Sequence, residues 1–187
     1  VGPSLSLPSF LYLPLDEELQ ALVSVLPWSK ETPYIVGAYA RDRGAELPSH
    51  LVASAKSWLS HPDIDKREKL LPLDFDETEK KISPLDACAA ILHHLKKAWN
   101  EAKPEAPFQN QTILITVPAS FDPGARQLVL EAAEKAGYPE IVLLEEPQAA
   151  FYAWLHTYAE SWRKQLKVGD SILVVDIGGG TTDFSLI

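Results

Sequence analysis

The feature that most constrains this chain is a change of rhythm near Ile82. Beyond it, apolar residues alternate between helical spacing and short continuous runs, punctuated by glycine and proline. Ser83 can cap a helix, Pro84 suits its first turn, and Asp86 completes the spacing of a capping box. Leu85, Cys88, Leu92, Leu95 and Trp99 then follow in steps of three and four, which predicts one apolar stripe. Thr112 to Val117 reads as a buried strand, and Asp122 and Pro123 open a second helix. Ala125, Leu128, Val129, Ala132 and Ala136 form the buried face of that helix, and Gly137 ends it. Glu140 to Leu144 is a strand. Pro147 opens a helix to about Arg163, with Phe151, Leu155, Tyr158 and Trp162 at helical spacing. Ser171 to Asp176 and Thr181 to Ile187 are strands joined by a glycine turn. Strands alternating with helices predict an α/β fold with parallel pairing. The terminal hairpin must pair antiparallel, so the expected sheet is mixed.

Before Ile82 the elements are short and broken by proline. Ser9 to Leu13 and Tyr34 to Ala38 read as strands. Asp16 to Leu26 reads as a helix, with Leu19, Leu22, Val23 and Leu26 on one side. Leu51 to Leu59 reads as another, showing Leu51, Ala55, Trp58 and Leu59, and Thr78 to Lys81 reads as a charged connector. Seventeen basic against 26 acidic residues give a net charge of −9. That excludes general binding to DNA or RNA, which needs a cationic surface. A single nucleotide is not excluded, because backbone amides and a metal ion can hold one. The lone Cys88 forms no internal disulfide and lies in an apolar stripe, so packing is its expected role in a reducing, cytoplasmic setting. No apolar run approaches the roughly 18 to 20 residues of a membrane span. The chain has no methionine and stops at Ile187 inside an apolar strand, so it is expected to be a piece of a longer protein.

Two segments carry candidate chemistry. In VVDIGGGTTDFSLI, Val174 to Ile187, an apolar strand delivers Asp176 to its end, and Gly178, Gly179 and Gly180 follow. Glycines let a ligand approach backbone N–H groups closely. Thr181 and Thr182 add hydroxyls, and Asp183 adds a second carboxylate. Phosphates take N–H and O–H donors, and the magnesium that accompanies them takes carboxylates, often through water. The bland alternative is a glycine-rich hairpin whose aspartates cap the turn. In LLEEPQAA, Leu143 to Ala150, a strand ends in Glu145 and Glu146 before Pro147 starts a helix. Neighbouring strand residues point oppositely, so the two carboxylates cannot both face one site. As a dipeptide the pair also suits a simple helix start. His93 and His94 are about 100° apart on a helix and do not converge on a metal.

The glycine-rich segment resembles the second phosphate-binding segment of the actin-like ATPases, which include sugar kinases and bacterial filament proteins. Further stretches are similar to the DnaK-type seventy-kilodalton heat-shock chaperones. These are VPASFDPGARQ (Val117 to Gln127), LLEEPQAA, AKSWL (Ala55 to Leu59) with VGAYA (Val36 to Ala40) before it, and SLPSF (Ser6 to Phe10). They stand in family order. The resemblance covers nearly the whole chain, and its motifs are densest from Ile113 to Ile187. It implies the first lobe of an actin-like, ribonuclease H-like ATPase fold plus the opening β-hairpin of the second lobe. Residues 1–82 would form a smaller upper subdomain, 83–168 the core α/β subdomain, and 169–187 the hairpin.

The resemblance also implies roles. Glu146 is the catalytic glutamate that orients water and magnesium. Asp176 and Asp183 organise magnesium, through water, and the attacking water. Gly178, Gly179, Gly180, Thr181 and Thr182 form the loop that touches the phosphates, and Lys56 reaches the γ-phosphate. Pro118 and Arg126 couple nucleotide state to a partner domain. Without the family, Lys56 and Arg126 are solvated side chains and Pro118 a strand-ending proline. The cofactors would be ATP or ADP and Mg2+. The partners of the intact protein would be client polypeptides and co-chaperones, with no nucleic acid and no membrane, the fragment itself being monomeric. Thr182 replaces the usual phenylalanine and Glu145 the usual asparagine, and Leu15 to Thr32 has no counterpart. This describes a divergent, bacterial chaperone-like protein. The alternatives are a filament-forming homologue, a sugar-kinase relative, or a chaperone-like binding protein that does not hydrolyse ATP. The family's first phosphate loop, its adenosine-binding stretch and its peptide-binding domain have no match here. The 187-residue chain alone is therefore expected to bind Mg-ATP weakly and hydrolyse it negligibly. Calorimetric titration checks this, and submicromolar affinity would overturn it.

Overall fold

A computed structural model of the chain describes residues 6–18, 33–75, 80–178 and 182–187. It falls into two compact units. The first comprises Val1–Gln111 with Gln127–Pro139, and the second Thr112–Arg126 with Glu140–Ile187.

The first unit is built on three short strands, β1 (Phe10–Tyr12), β2 (Ile35–Val36) and β3 (Leu51–Ala53), antiparallel in the order β2–β1–β3. The central strand is the most buried, with Leu11 and Tyr12 fully enclosed. Each such side chain contributes about 1.5–3 kcal/mol of apolar burial. Tyr12 also needs a polar partner, and its hydroxyl donates to Glu18 Oε2 at 3.0 Å. Glu18 in turn accepts from Arg43 Nε at 2.6 Å and from the Leu15 amide at 2.9 Å. Burial and the neighbouring Glu18 push the Tyr12 phenol up to about 12.

Helix α1 (Ala38–Glu46) follows β2. The expected strand from Tyr34 to Ala38 stops at Val36 because Gly37 adopts φ +96° and turns the chain into this helix. Its sequence, AYARDRGAE, has no apolar stripe, so spacing did not reveal it. Leu51 to Leu59 is not one helix. Leu51 to Ala53 pairs with β1, Ser54 takes a left-handed φ of +55°, and only Ala55–Trp58 (α2) is helical. Strand pairing outweighed a spacing that fits a helix equally well over so few residues. The helix expected from Asp16 to Leu26 is described only over Asp16 to Glu18. Leu19, Leu22, Val23 and Leu26 lie outside the described residues, as do Thr78 and Glu79 of the Thr78 to Lys81 connector.

Helix α3 (Pro84–Ala102) starts where the capping box placed it. Ser83 is fully buried; its Oγ accepts from the Asp86 amide at 3.0 Å and donates to Asp86 Oδ2 at 2.8 Å. The buried face is made by Leu85, Ala87, Ala89 and Ala90 rather than by the full expected stripe. Leu95 and Trp99 are 41% and 40% exposed. Trp99 meets the chain through its indole N–H, which donates to the Ala106 carbonyl at 2.8 Å. Cys88 packs against the core of Leu11, Val36, Val52 and Ile82, and burial pushes its thiol up to about 12, as suits a packing residue. Helix α4 (Pro123–Lys135) ends at Gly137, whose φ of +72° allows the reversal. Ala125, Leu128, Val129, Ala132 and Ala136 are all buried, as the spacing required.

In the second unit, β4 (Ile113–Val117) and β5 (Ile141–Glu145) pair in parallel, with Val117 opposite Glu145. Helix α5 (Glu146–Tyr158) packs on both strands and on β6. It stops at Tyr158, short of Arg163, because Ala159 takes φ +40° and a 3-10 turn over Ala159–Lys164 follows. Strands β6 (Leu173–Ile177) and β7 (Thr182–Leu186) form an antiparallel hairpin. Parallel and antiparallel pairing are thus both present, but in separate small sheets. Among the described residues no ladder joins them into one mixed sheet. Nor is β4 wholly buried, since Leu114 is 55% exposed.

The α3 start yields a test. Ser83→Ala removes the cap and should cost about 1–2 kcal/mol, read from the urea-melt midpoint. The Asp86 carboxyl is pushed up by burial, but Lys135 and Ser83 outweigh this and hold it below its ordinary value. Its stabilising contribution is present above the unfolded carboxylate range and lost as pH falls through the lower folded value. Asp86→Asn should flatten that acid limb in melts taken across the carboxylate range.

Candidate functional site

The hairpin β6–β7 sets two of the candidate residues face to face. Its register pairs Leu173 with Leu186, Val175 with Phe184, Asp176 with Asp183, and Ile177 with Thr182. Directly opposed residues of an antiparallel pair project from the same face, with Cβ atoms about 4.5–5.5 Å apart. Asp176 and Asp183 therefore share one face with Val174 and Ser185. Leu173, Val175, Ile177, Phe184 and Leu186 share the other, and each is 46–76% exposed. Thr182 belongs to that second face by the same alternation, so toward the aspartate face it can offer its backbone rather than its hydroxyl. Gly178 directly follows β6; Gly179, Gly180 and Thr181 lie outside the described residues.

Two like charges placed opposite each other destabilise a hairpin. A cation between them reverses the sign of that interaction. Mg2+ takes one or two carboxylates and completes its shell with water and phosphate oxygens. The pair fits that pattern. It is not a self-sufficient cage, and among the described residues no group of three or more His, Cys, Asp or Glu could hold a metal.

The remaining candidates of the second unit gather where β4 and β5 end. Parallel strands deliver their carboxyl ends to one edge, so Pro118 follows Val117 while Glu145 closes β5 opposite it. Pro118 is buried. The loop after it turns through a Phe121 N–H bond to the Pro118 carbonyl, 3.1 Å. Asp122 then caps α4, accepting from the Ala125 amide at 2.7 Å. Arg126 is not a free solvated side chain. It donates from Nε to the Phe121 carbonyl at 2.9 Å and from Nη2 to Glu145 Oε1 at 2.7 Å. The two glutamates fall in different elements, so strand alternation does not relate them. Glu145 ends β5 and holds Arg126, whereas Glu146 is the first residue of α5, beside Pro147. A carboxylate in a first helical turn is favoured by the helix dipole.

The loop also reaches the hairpin. Ser120 Oγ donates to Asp183 Oδ1 at 3.3 Å. Sequence reasoning passed over Ser120, because nothing marks a serine inside VPASFD. Glu145 stands out in the sequence as one carboxylate of the LLEEPQAA pair and as a departure from the family pattern, but nothing there names Arg126 as its partner. Lys56 belongs to the first unit, exposed on α2, which packs on α3. Among the described residues, a cavity of about 600 Å³ lies in the first unit and one of about 340 Å³ in the second. Neither is lined by any of the expected site residues.

The hairpin thus sets Asp176 opposite Asp183, and the loop from Pro118 starts beside the strand-ending Glu145. The sequence profile of the family described as Hsp70 protein matches residues 17–187. The chain belongs to the Hsp70 family. It is similar to the chaperone protein HscA of Salmonella arizonae, 30% identical over 184 residues, covering 94% of this chain and 28% of that protein. The chaperone protein HscA of Xenorhabdus nematophila is 32% identical over 181 residues, at 92% and 28% coverage. A chaperone protein HscA homolog of Pasteurella multocida is 30% identical over 185 residues. The chain thus spans about 28% of the length of these relatives. No described helix is long and apolar enough to cross a membrane.

The opposed aspartates give a direct test. Asp183→Asn should stabilise the metal-free chain by up to about 1 kcal/mol, read by thermal melts. Millimolar Mg2+ should narrow the difference between the two proteins.

Proposed function

We propose that this chain is the first lobe, with the opening hairpin of the second, of the nucleotide-binding domain of an Hsp70-type chaperone. The intact protein binds Mg-ATP, hydrolyses it to ADP and phosphate, and couples nucleotide state to the binding of client polypeptides and co-chaperones in the cytoplasm. The observation that carries this reading is the pairing of Asp176 with Asp183 on one face of a hairpin, in a chain of this family. Bound Mg2+ would neutralise the phosphates and stabilise the charge that spreads over them during transfer to water.

The protein's own contribution is positioning. Asp176 and Asp183 would hold the metal, through water, and orient the attacking water. Gly178, Gly179, Gly180, Thr181 and the Thr182 backbone offer amide donors to the phosphates. Glu146, set at a strand-to-helix corner by Pro147, orients water. Lys56 supplies positive charge, and a Lys56→Ala enzyme with unaltered turnover returns it to a surface role over α3. Pro118 and Arg126 pass the nucleotide state outward. The division into 1–82, 83–168 and 169–187 follows the same reading. The names of the relatives favour the chaperone over the filament-forming and sugar-kinase readings.

Glu146→Gln keeps the side chain's shape and removes its charge. In the intact protein it should slow hydrolysis by a hundredfold or so while leaving nucleotide affinity within about threefold. Single-turnover hydrolysis and calorimetry measure the two separately. Unchanged hydrolysis rejects the catalytic role.

A further inference from the structure

We propose that Ser120 is a positioning residue for Asp183, and that the Arg126–Glu145 ion pair is the clip that holds Ser120 in place. The inference rests on the nucleotide reading for its consequence but on independent contacts for its geometry. Ser120 lies in the five-residue loop Pro118 to Asp122, between a fully buried strand end at Val117 and the cap of α4. The Arg126 guanidinium binds the loop on both sides of Ser120. Its Nη2 lies 3.4 Å from the Ala119 carbonyl and its Nε 2.9 Å from the Phe121 carbonyl. The same Nη2 lies 2.7 Å from Glu145 Oε1. Arg126 and Glu145 retain only 30% and 35% of their side-chain exposure, so their attraction is screened less than that of a surface pair. Because Glu145 stands opposite Val117 in the parallel ladder, the clip's anchor adjoins the start of the loop it restrains.

The outcome is one bond, from Ser120 Oγ to Asp183 Oδ1 at 3.3 Å. It matters because of what Asp183 faces. Repulsion from Asp176 opposite would otherwise turn the Asp183 carboxylate away. The hydroxyl engages Oδ1 and leaves Oδ2 for water or a hydrated cation. The loop that carries Pro118 and the hairpin that carries Asp183 are thereby tied by a defined chain of contacts, Glu145 to Arg126 to the loop carbonyls to Ser120 to Asp183. Neither Ser120 nor Glu145 is a residue for which the family resemblance implies a role. In this chain the glutamate at 145 gives Arg126 a charged partner that asparagine does not.

Two measurements test the proposal. In the 187-residue chain, Hα–Hβ couplings of Asp183 by NMR should report one dominant rotamer. They should become averaged in Ser120→Ala and in Glu145→Ala, and be restored in Ser120→Thr. Averaged couplings in the wild type, or couplings unchanged in both alanine variants, overturn the positioning role. In the intact protein, Ser120→Ala should lower kcat for ATP about tenfold with KM within about twofold, and Ser120→Thr should recover most of it. Glu145→Ala should reproduce the loss, and the double variant should be no slower than either single one. Wild-type turnover with unaltered kcat in Ser120→Ala overturns the inference and leaves the nucleotide reading standing. A wild type without turnover overturns that reading instead, and the couplings alone then decide whether the clip positions Asp183.

Discussion

The parallel pairing of β4 with β5 is the constraint on which the candidate site depends. Two parallel strands must end at the same edge, and the crossover that joins them must leave from that edge. The register that sets Val117 opposite Glu145 brings three things together there: the loop beginning at Pro118, the carboxylate of Glu145, and the first turn of α5 with Glu146. Slipping the register by one residue would turn Glu145 to the other face and leave Arg126 with no charged partner. The ion pair, the loop's shape and the Ser120 contact all follow from that one ladder.

The second organising element is the hairpin, which has opposite physics on its two faces. One face sets like charges against each other, a loss of stability that a simple structural hairpin has no reason to keep. The other face is a row of exposed apolar residues from Leu173 to Leu186. A strand can carry such different faces because its side chains alternate strictly, so a single register decides both. Conflict between local stability and residue choice is what is expected where chemistry is placed.

Much of this was legible in the chain. Alternating helix and strand signals from Ser83 onward gave the element order. The capping box at Ser83 and the glycine at 137 gave helix ends to the residue, because each satisfies orphan backbone groups in a way only a few residue types can. Before Ile82 the reading was poorer. Helix α1 has no apolar stripe, and Leu51 to Leu59 fitted helical spacing although its first three residues pair with β1. In a three-residue strand, the partner strand decides the conformation more than the strand's own sequence does.

For the site, the sequence by itself determined the residue types: two aspartates around a glycine turn, two glutamates before a proline, an arginine in a family motif. The expected divergence of Glu145 and Glu146 assumed that both are strand residues, whereas Glu146 opens α5. Only the tertiary structure decided that Asp176 and Asp183 are direct cross-strand partners, that Thr182 turns its hydroxyl from them, and that Arg126 is bound rather than solvated. It alone brought Ser120 to Asp183, across 63 residues of chain. The reason is physical. Local rules act over a few residues through dihedral preference and caps, whereas a hydrogen bond between distant side chains depends on strand register and loop path, which the packed whole sets.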